Sequence, residues 1–317
     1  MKRLLGLPVL FTLFALGSCF PTLEDDLNQV IERDDRLLKE YLQRNNLTPI
    51  ETQLGYYYSK DSENPTGTQI TNGDIVGAYY EIRTIDGQLI ESYLDESKPA
   101  RLYRHLEGGL IPRAINFASG LAKTGESFTL YIPSYLAYQD YSYQQLILPN
   151  SNLVVKVKYV AKFSETELRS YEDGLIRAYL ETSELTGYER SEDGIFIKTL
   201  SEGAAEGAAS DDGKVVRIQF KLTYVGSETA ILESTAASPT DITVGTSSNL
   251  KFLNLTLKGI KKDSEYEIIV PSHLGFAQSP QVFPFVIRRD LFDKGFVTQV
   301  VRPYEPIYFK FKVMEIR

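Results

Sequence analysis

The sequence predicts an α+β fold made of two repeated units, each an antiparallel sheet wrapped on a short helix and each preceded by an amphipathic helix. Strand-like runs rich in β-branched and aromatic residues outnumber the helical ones. Segments of the first half recur in the second half at an offset of about 138 residues. Because this period is far longer than the roughly 20–50 residues of a solenoid unit, it indicates domain duplication.

The N-terminus has the pattern of a bacterial export signal. Lys2 and Arg3 precede an apolar run, and Leu16-Gly17-Ser18 lead to Cys19, the only cysteine in 317 residues. The apolar run is too short to cross a bilayer core of about 30 Å as a mature helix. The Leu-Gly-Ser-Cys ending resembles the lipobox of bacterial lipoproteins, which implies that residues 1–18 are cleaved and that Cys19 carries lipid.

Residues 19–26 are expected to form a lipidated, polar spacer between the membrane and the folded part of the chain. Two or three acyl chains anchor a protein stably, since each buried methylene contributes about 0.8 kcal/mol. Phe20 follows the cysteine where some bacteria use Asp to retain a lipoprotein in the inner membrane. We therefore expect an outer-membrane lipoprotein that faces either the periplasm or the cell surface.

The first unit is predicted to span residues 27–163 and the second unit residues 164–317. Each begins with a helix, and Asp35 to Leu42 aligns without a gap with Asp173 to Leu180 at an offset of 138 residues. Paired strand-like segments and a short apolar helical segment follow in both units. These pairs are Gly55–Tyr58 with Gly194–Ile197, Ile75–Tyr80 with Val215–Phe220, Ile111–Leu121 with Leu250–Ile260, Thr129–Ile132 with Glu267–Val270, and Leu153–Val160 with Ile307–Val313.

Composition excludes several classes of function. The formal net charge of -8 argues against nucleic acid or an anionic lipid surface as a partner. With only His105 and His273, the chain lacks the material for a multi-histidine metal site, and a histidine-based triad is equally unsupported. The 21 Tyr and 16 Phe instead supply large apolar groups for cores and pockets.

Several motifs of the first unit stand in a specific order. They are Asn72-Gly73-Asp74, the Asp86-Gly87 turn before Ile90-Glu91-Ser92, Leu110-Ile111-Pro112, Lys123-Thr124-Gly125-Glu126, the run Tyr131–Tyr138, and the closing segment Pro149–Val155. This ordered set resembles the FKBP-type peptidyl-prolyl isomerase family from Gly55 to Val160. The second unit is a looser copy, so the resemblance implies two FKBP-like domains in tandem.

The resemblance implies catalysis of cis/trans exchange about X-Pro bonds, whose barrier is roughly 18–20 kcal/mol. Such a reaction needs an apolar cleft and a few fixed polar groups, and it uses no cofactor, metal or nucleophile. The resemblance places this cleft in the first unit, at Tyr80, Ile90, Glu91, Leu110, Ile111, Ile115, Tyr138, Tyr143, Ile147 and Val155.

Among these residues, Tyr138 is expected to donate its hydroxyl to a substrate carbonyl, Tyr80 to form a wall and Glu91 to lie at the rim. Ile115 stands where the family usually has an aromatic floor, most often Trp, and this chain has no Trp. The alternative interpretation is that these side chains are ordinary core residues of a half-buried sheet.

The second unit departs further from the family pattern. Phe276 replaces the tyrosine and so lacks the hydroxyl, which predicts an inactive binding or dimerisation module. Between Phe276 and Pro303 lie 26 residues, against 10 between Tyr138 and Pro149. This enlarged segment is too apolar for a free loop, so we expect it to pack on its own unit or on a partner.

Two hypotheses of function remain open from the sequence. The first is a membrane-anchored prolyl isomerase or folding factor, whose partners are exported polypeptides that contain X-Pro. The second is a non-enzymatic scaffold or accessory subunit of an outer-membrane or cell-surface assembly, which uses FKBP-like folds for protein binding.

Overall fold

The computed structural model describes residues 23–277 and 279–317. Cys19 and the predicted signal peptide lie outside the described residues. Within the described ranges, no helix is both long enough and apolar enough to cross a bilayer.

The first unit consists of a long helix, a short helix and a set of mostly antiparallel strands. In chain order these are α1 (Leu23–Arg44), β1 (Ile50–Glu51), β2 (Tyr57–Ser62), β3 (Ile75–Thr84), β4 (Leu89–Tyr93), β5 (Arg101–Arg104), β6 (Leu110–Ile111), α2 (Arg113–Ser119), β7 (Glu126–Ile132) and β8 (Leu153–Phe163).

One antiparallel sheet organises the first unit, in the order β1-β2-β7-β8-β3-β4, with β5 paired to the first half of β3. Side chains of β8 alternate between buried and more exposed positions, as expected when one face of a strand covers a core. The short helix α2 lies against this face and buries Ala114, Ile115 and Ala118 completely.

The second unit repeats this plan. Its elements are α3 (Glu165–Thr182), β9 (Glu189–Arg190), β10 (Phe196–Ser201), β11 (Val215–Tyr224), β12 (Leu232–Ser234), β13 (Thr240–Thr243), α4 (Lys251–Thr256), β14 (Glu265–Val270), β15 (Gln281–Val282), α5 (Arg288–Asp293) and β16 (Ile307–Ile316). Its sheet has the order β12-β11-β16-β14-β10-β9, with β13 paired to β11. The predicted α+β fold of two duplicated units is confirmed.

The first helix starts earlier than the sequence predicted. It begins at Leu23, inside the stretch 19–26 that was predicted to be spacer, and four residues before the predicted start of the helix. These bounds place Glu24, Asp25 and Asp26 within the helix. The acidic residues that suggested a spacer therefore belong to the start of the helix.

Each leading helix is fixed to its unit by one buried carboxylate at equivalent positions of the repeat. In the first unit, Asp34 accepts hydrogen bonds from the backbone N–H and hydroxyl of Ser134, at 2.8 and 2.6 Å. In the second unit, Glu172 accepts one hydrogen bond of 3.1 Å from the backbone N–H of Ser272. Both carboxylates have no exposed surface.

The two carboxylates differ in how they are compensated. Asp34 also pairs with Arg33, whose Nη2 atom lies 2.5 Å from Oδ1. Glu172 has no ion-pair partner within the described residues, and its Oε1 atom is buried without a hydrogen bond. Burial therefore raises the pKa of Glu172 to about 7.

This raised pKa predicts that Glu172→Gln stabilises the second unit at alkaline pH. The folded state holds the proton more tightly than the unfolded state between about pH 4.5 and pH 7, so the stability contributed by Glu172 falls as the pH rises through this window. Gln removes that loss, and at pH 8 we expect the free energy of unfolding to rise by about 2–3 kcal/mol.

The measurement is chemical denaturation followed by circular dichroism at pH 5 and pH 8. Glu181→Gln, on the exposed face of the same helix, is the matched control and should change stability little at either pH. An equal effect of Glu172→Gln at both pH values would contradict the assignment.

Candidate functional site

The structure brings all the predicted cleft residues together at one side of the first unit's sheet. Tyr80, Ile90, Leu110, Ile115, Tyr138, Ile147 and Val155 are buried members of a single cluster, and Ile111 and Tyr143 pack against it. Glu91 joins them through a 2.6 Å hydrogen bond from the Tyr80 hydroxyl. Their roles in binding or catalysis stay predictions.

The base of this cleft is formed by Ile115 on α2. Its side chain is fully buried, and the Tyr159 hydroxyl donates a 2.8 Å hydrogen bond to its backbone carbonyl. This bond ties α2 to β8 beneath the cleft. Ile115 thus lies at the base of the cleft, at the position where the family usually has an aromatic residue.

Tyr138 is positioned by the segment that follows β7. Pro133 ends the strand, and a single 3-10 turn over Ser134–Leu136 leads into Tyr138. Asp34 of α1 holds the first residue of this turn, and Asn152 accepts a second hydrogen bond of 2.9 Å from the backbone N–H of Ser134. The leading helix therefore helps to place the tyrosine of the cleft.

The Tyr138 hydroxyl is suited to donate a hydrogen bond. The side chain is almost fully buried, and burial raises the pKa of its hydroxyl well above the ordinary value for tyrosine. Because the charged form is strongly disfavoured, the group keeps its proton throughout the physiological range.

A polar network lies at one wall of the cleft. Arg101 on β5 donates to the Glu91 carboxylate at 2.8 Å and also to the Tyr80 hydroxyl. The Tyr80 hydroxyl in turn donates to Glu91, so the three side chains form one hydrogen-bonded network. Arg101 also stacks on the ring of Tyr93, with 3.9 Å from its guanidinium carbon to the ring centre. This network fixes Tyr80 as a wall.

The cleft is occupied by the enlarged segment of the second unit, residues 279–300, which we call the flap. Strand β15 of the flap pairs in parallel with β6, with Gln281 opposite Leu110 and Val282 opposite Ile111. The pairing continues through the backbone N–H of Phe283, which donates to the Ile111 carbonyl at 2.8 Å.

Phe283 fills the centre of the cleft. Its ring is fully buried and stacks on Tyr80 with a distance of 4.0 Å between ring centres. The Tyr103 ring meets it edge-on at 6.5 Å. Burying such a side chain contributes roughly 1.5–3 kcal/mol.

The Tyr138 hydroxyl donates a 2.8 Å hydrogen bond to the carbonyl oxygen of Phe283. This carbonyl belongs to the peptide bond between Phe283 and Pro284, so Tyr138 contacts an X-Pro carbonyl supplied by the same chain. The Phe283–Pro284 bond is cis, as is Ile111–Pro112.

Further contacts fasten the flap on either side of Phe283. The Gln281 side chain donates to the Leu102 carbonyl at 2.9 Å, and the Tyr141 hydroxyl donates to the Asp290 carboxylate at 2.7 Å. Phe285 lies between two guanidinium groups, with Arg101 of the first unit at 3.5 Å and Arg302 of the second at 4.2 Å from its ring centre.

The flap is held in shape by Arg288, which is only 2% exposed. Its guanidinium donates to the carbonyls of Pro280 and Val300, at 2.8 and 3.1 Å, and to the Ser279 hydroxyl at 2.7 Å. Burial lowers the pKa of Arg288 to about 10, so the group stays charged at neutral pH. One side chain thereby joins the two ends of the flap.

These contacts correct the sequence-based expectation for the enlarged segment. We expected its apolar residues to pack on their own unit or on a partner, but they join the core of the first unit. These residues are Val282, Phe283, Ile287, Leu291 and Val297. Their cluster is the one that contains the cleft residues Tyr80 and Tyr138.

Sequence reasoning missed several residues that shape the cleft. Arg101 and Tyr103 lie on the short strand β5. The side chains that they contact belong to segments distant in sequence, so neither residue could be assigned to the cleft from its neighbours. Phe283 could be recognised only as part of an apolar run. The equivalent position to Tyr138 in the second unit is Phe276, which is 8% exposed and lacks a hydroxyl, as the sequence shows.

Across the described parts of the chain, no group of three or more His, Cys, Asp or Glu side chains is placed to hold a metal ion. At the cleft, the hydroxyls of Tyr80 and Tyr138 are hydrogen-bonded to Glu91 and to the flap, whereas Arg101 Nε and the Tyr103 hydroxyl are buried without a hydrogen-bond partner. The arrangement can bind an extended peptide by backbone pairing and by burial of an aromatic ring beside proline.

Comparison with known proteins identifies one family. The sequence model of the family described as "FKBP-type peptidyl-prolyl cis-trans isomerase" matches residues 66–160 and 207–313, which together exceed half of the chain. Each match falls within one of the two units.

A probable FKBP-type peptidyl-prolyl cis-trans isomerase, FkpA, from Neisseria meningitidis is 33% identical over 129 residues. This alignment covers 41% of the present chain and 45% of that relative, so the chain spans less than half of the relative's length.

Similar solved structures include the three FKBP domains of wheat FKBP73. The sequence identity is 15%, the alignment covers 84% of this chain and 96% of that chain, and the TM-score is 0.32. Another is FkpA from Escherichia coli, which is 23% identical in sequence. This alignment covers 44% of the present chain and 63% of that chain, with a TM-score of 0.35.

The contacts of Asp34 predict that Asp34→Ala destabilises the first unit and loosens the Tyr138 segment. Removing the carboxylate leaves the buried N–H and hydroxyl of Ser134 with fewer acceptors and leaves Arg33 without its partner. We expect the free energy of unfolding to fall by about 2–3 kcal/mol, measured by chemical denaturation. Glu40→Ala, exposed on the same helix, should cost about 0.5 kcal/mol or less, and equal effects of both substitutions would refute the assignment.

Proposed function

The chain belongs to the FKBP-type peptidyl-prolyl cis-trans isomerase family, and from this premise we propose that its first unit catalyses cis/trans exchange of X-Pro bonds in exported polypeptides. The observation that carries the proposal is the hydrogen bond from the Tyr138 hydroxyl to the carbonyl of Phe283, which directly precedes a proline. A client carbonyl at the same place would accept the same hydrogen bond.

The physical basis of catalysis is the difference between a planar and a twisted amide. The planar amide is stabilised by charge separation, which a dry apolar cleft disfavours relative to water. Tyr80, Ile115 and Val155 line such a cleft, and each is fully buried. A fixed hydroxyl at Tyr138 holds the carbonyl while the proline side of the bond turns.

The second unit is proposed to be non-catalytic. Phe276 at the position of Tyr138 offers no hydroxyl to a substrate carbonyl. The segment that would cover a cleft in this unit lies on the first unit instead. In this proposal the second unit binds, and the first unit catalyses.

The proposed location of the protein in the cell rests on its N-terminal sequence. We propose that Cys19 carries acyl chains and holds the protein at the outer membrane, facing the periplasm or the cell surface. The first unit then stands closest to the anchor, where clients emerge during export. The partners are unfolded or partly folded polypeptides that contain X-Pro.

A non-enzymatic scaffold is the second candidate, and the occupied cleft favours it. A cleft that binds a polypeptide segment tightly within its own chain is a protein-binding surface whether or not it catalyses. Detergent extraction and gentle affinity purification test this function. Recovery with stoichiometric membrane proteins would support a scaffold, and recovery as a free monomer would oppose it.

The isomerase proposal predicts that a soluble chain covering residues 22–317 accelerates exchange in a peptide such as Ala-Leu-Pro-Phe. Tyr138→Phe should lower kcat/KM about tenfold, since a hydrogen bond of about 1.4 kcal/mol is lost. Tyr80→Leu should lower it similarly by removing the aromatic wall. Exchange is measured by nuclear magnetic resonance line shapes.

Tyr266→Phe in the second unit is the matched control, because its hydroxyl lies outside the cleft. The assay is repeated on Phe283→Ala, in which the central ring of the flap is absent from the cleft. No acceleration by either form of the protein would rule out isomerase function and leave the scaffold.

The anchoring proposal predicts that Cys19→Ala abolishes lipidation and removes the protein from outer-membrane fractions. We expect the unaltered chain to fractionate with outer membranes and to carry an acyl mass increment on its mature N-terminus. The Cys19→Ala variant should retain its signal peptide and lack this increment. Mass spectrometry of the purified protein decides the matter, and an unmodified Cys19 in membrane fractions would speak against lipidation.

A further inference from the structure

We propose that the flap of the second unit is an intramolecular ligand that keeps the first unit's cleft closed to other polypeptides until it is displaced. The inference rests on the function proposed above, because it concerns the regulation of the same cleft. Its binding step can nevertheless be tested without turnover.

The flap uses the groups that a client would need. The Tyr138 hydroxyl is bonded to the Phe283 carbonyl, and the face of Tyr80 is covered by the Phe283 ring. The Ile111 carbonyl already accepts the backbone N–H of Phe283. Because one donor, one ring face and one acceptor are all taken, flap and client cannot occupy the cleft together.

The competition favours the flap because it is tethered. A ligand held on the same chain by a short connection acts at an effective concentration on the order of 1 mM. A client at micromolar concentration must therefore bind far more tightly than the flap to replace it. Arg288 strengthens this advantage by preorganising the flap, since its hydrogen bonds to Pro280 and Val300 involve no group of the first unit.

The flap is an addition to the first unit rather than a missing part of it. The family match to residues 66–160 lies wholly within the first unit and includes no residue of the flap. The seven-stranded sheet of that unit contains no strand of the second unit, and the flap forms a separate two-residue parallel ladder with β6. Removing the flap should therefore open the cleft and leave the fold in place.

The contacts that fasten the flap outside the cleft can be broken one at a time. Phe285 is only partly buried between Arg101 and Arg302, and the Tyr141–Asp290 bond lies at the partly exposed edge. A partner that engages these outer contacts would lower the cost of opening. This makes release a stepwise process rather than unfolding of the second unit.

The test is the binding of a fluorescein-labelled peptide with the flap sequence PQVFPFV, measured by anisotropy on the whole soluble chain. The double substitution Phe283→Ala and Pro284→Ala removes the central contacts of the flap. Arg288→Met is a second opening variant, which leaves every flap group that touches the cleft in place. We expect both to bind the peptide at least tenfold more tightly than the unaltered chain.

Val286→Ala is the matched control, because Val286 is next to the docked segment and 55% exposed. It should bind the peptide as weakly as the unaltered chain. Adding Tyr138→Phe to the double variant should weaken peptide binding again. This result would show that the change in anisotropy reports binding in the cleft. Circular dichroism spectra establish that each variant is folded.

The outcomes separate this inference from the proposed function. Equal peptide affinity in the unaltered chain and both opening variants overturns the inference. Equal isomerase rates in the same proteins, at a level above background, overturn it as well and leave the function standing. Tighter peptide binding by the opening variants without isomerase activity in any of them supports the inference and refutes the function.

Discussion

The docking of Phe283 between Tyr80 and Tyr138 is the interaction on which the arrangement of this molecule depends. It joins residues 145 positions apart and places the flap of one unit in the core of the other. The ring supplies buried apolar area, and the Tyr138 hydroxyl satisfies the carbonyl that this burial would leave without water. Without the hydroxyl, burial of that carbonyl would be costly, and without the ring the hydrogen bond would be exposed to solvent.

The two units show how duplicated domains diverge while their architecture stays the same. Both keep a leading helix fixed by a buried carboxylate on a serine N–H, through Asp34 in the first unit and Glu172 in the second. Only Asp34 has an arginine beside it, so the second unit retains a less compensated charge. This same unit has Phe276 at the position equivalent to Tyr138 and carries the enlarged flap.

Local features of the chain were predictable because they depend on neighbours in sequence. Helical spacing located α1 and α3, and the repeat offset of 138 residues was enough to identify the duplication. The residues around Tyr80, Ile111 and Tyr138 came from an ordered set of motifs, and the structure gathers them in one cluster. The start of α1 was missed by four residues, because an acidic stretch suits a spacer and a helix N-terminus equally well.

The sequence by itself determined the family, the repeated α+β plan and the set of residues that gather at the first cleft. Each of these could be inferred from the spacing of apolar residues or from the order of motifs along the chain. It also showed that the segment around Phe283 is too apolar to remain in water. Only the tertiary structure decided which surface that segment covers. The choice depends on the distance between β6 and β15, on the hydroxyl of Tyr138 and on Arg288 joining the ends of the flap, and none of these is a property of neighbouring residues.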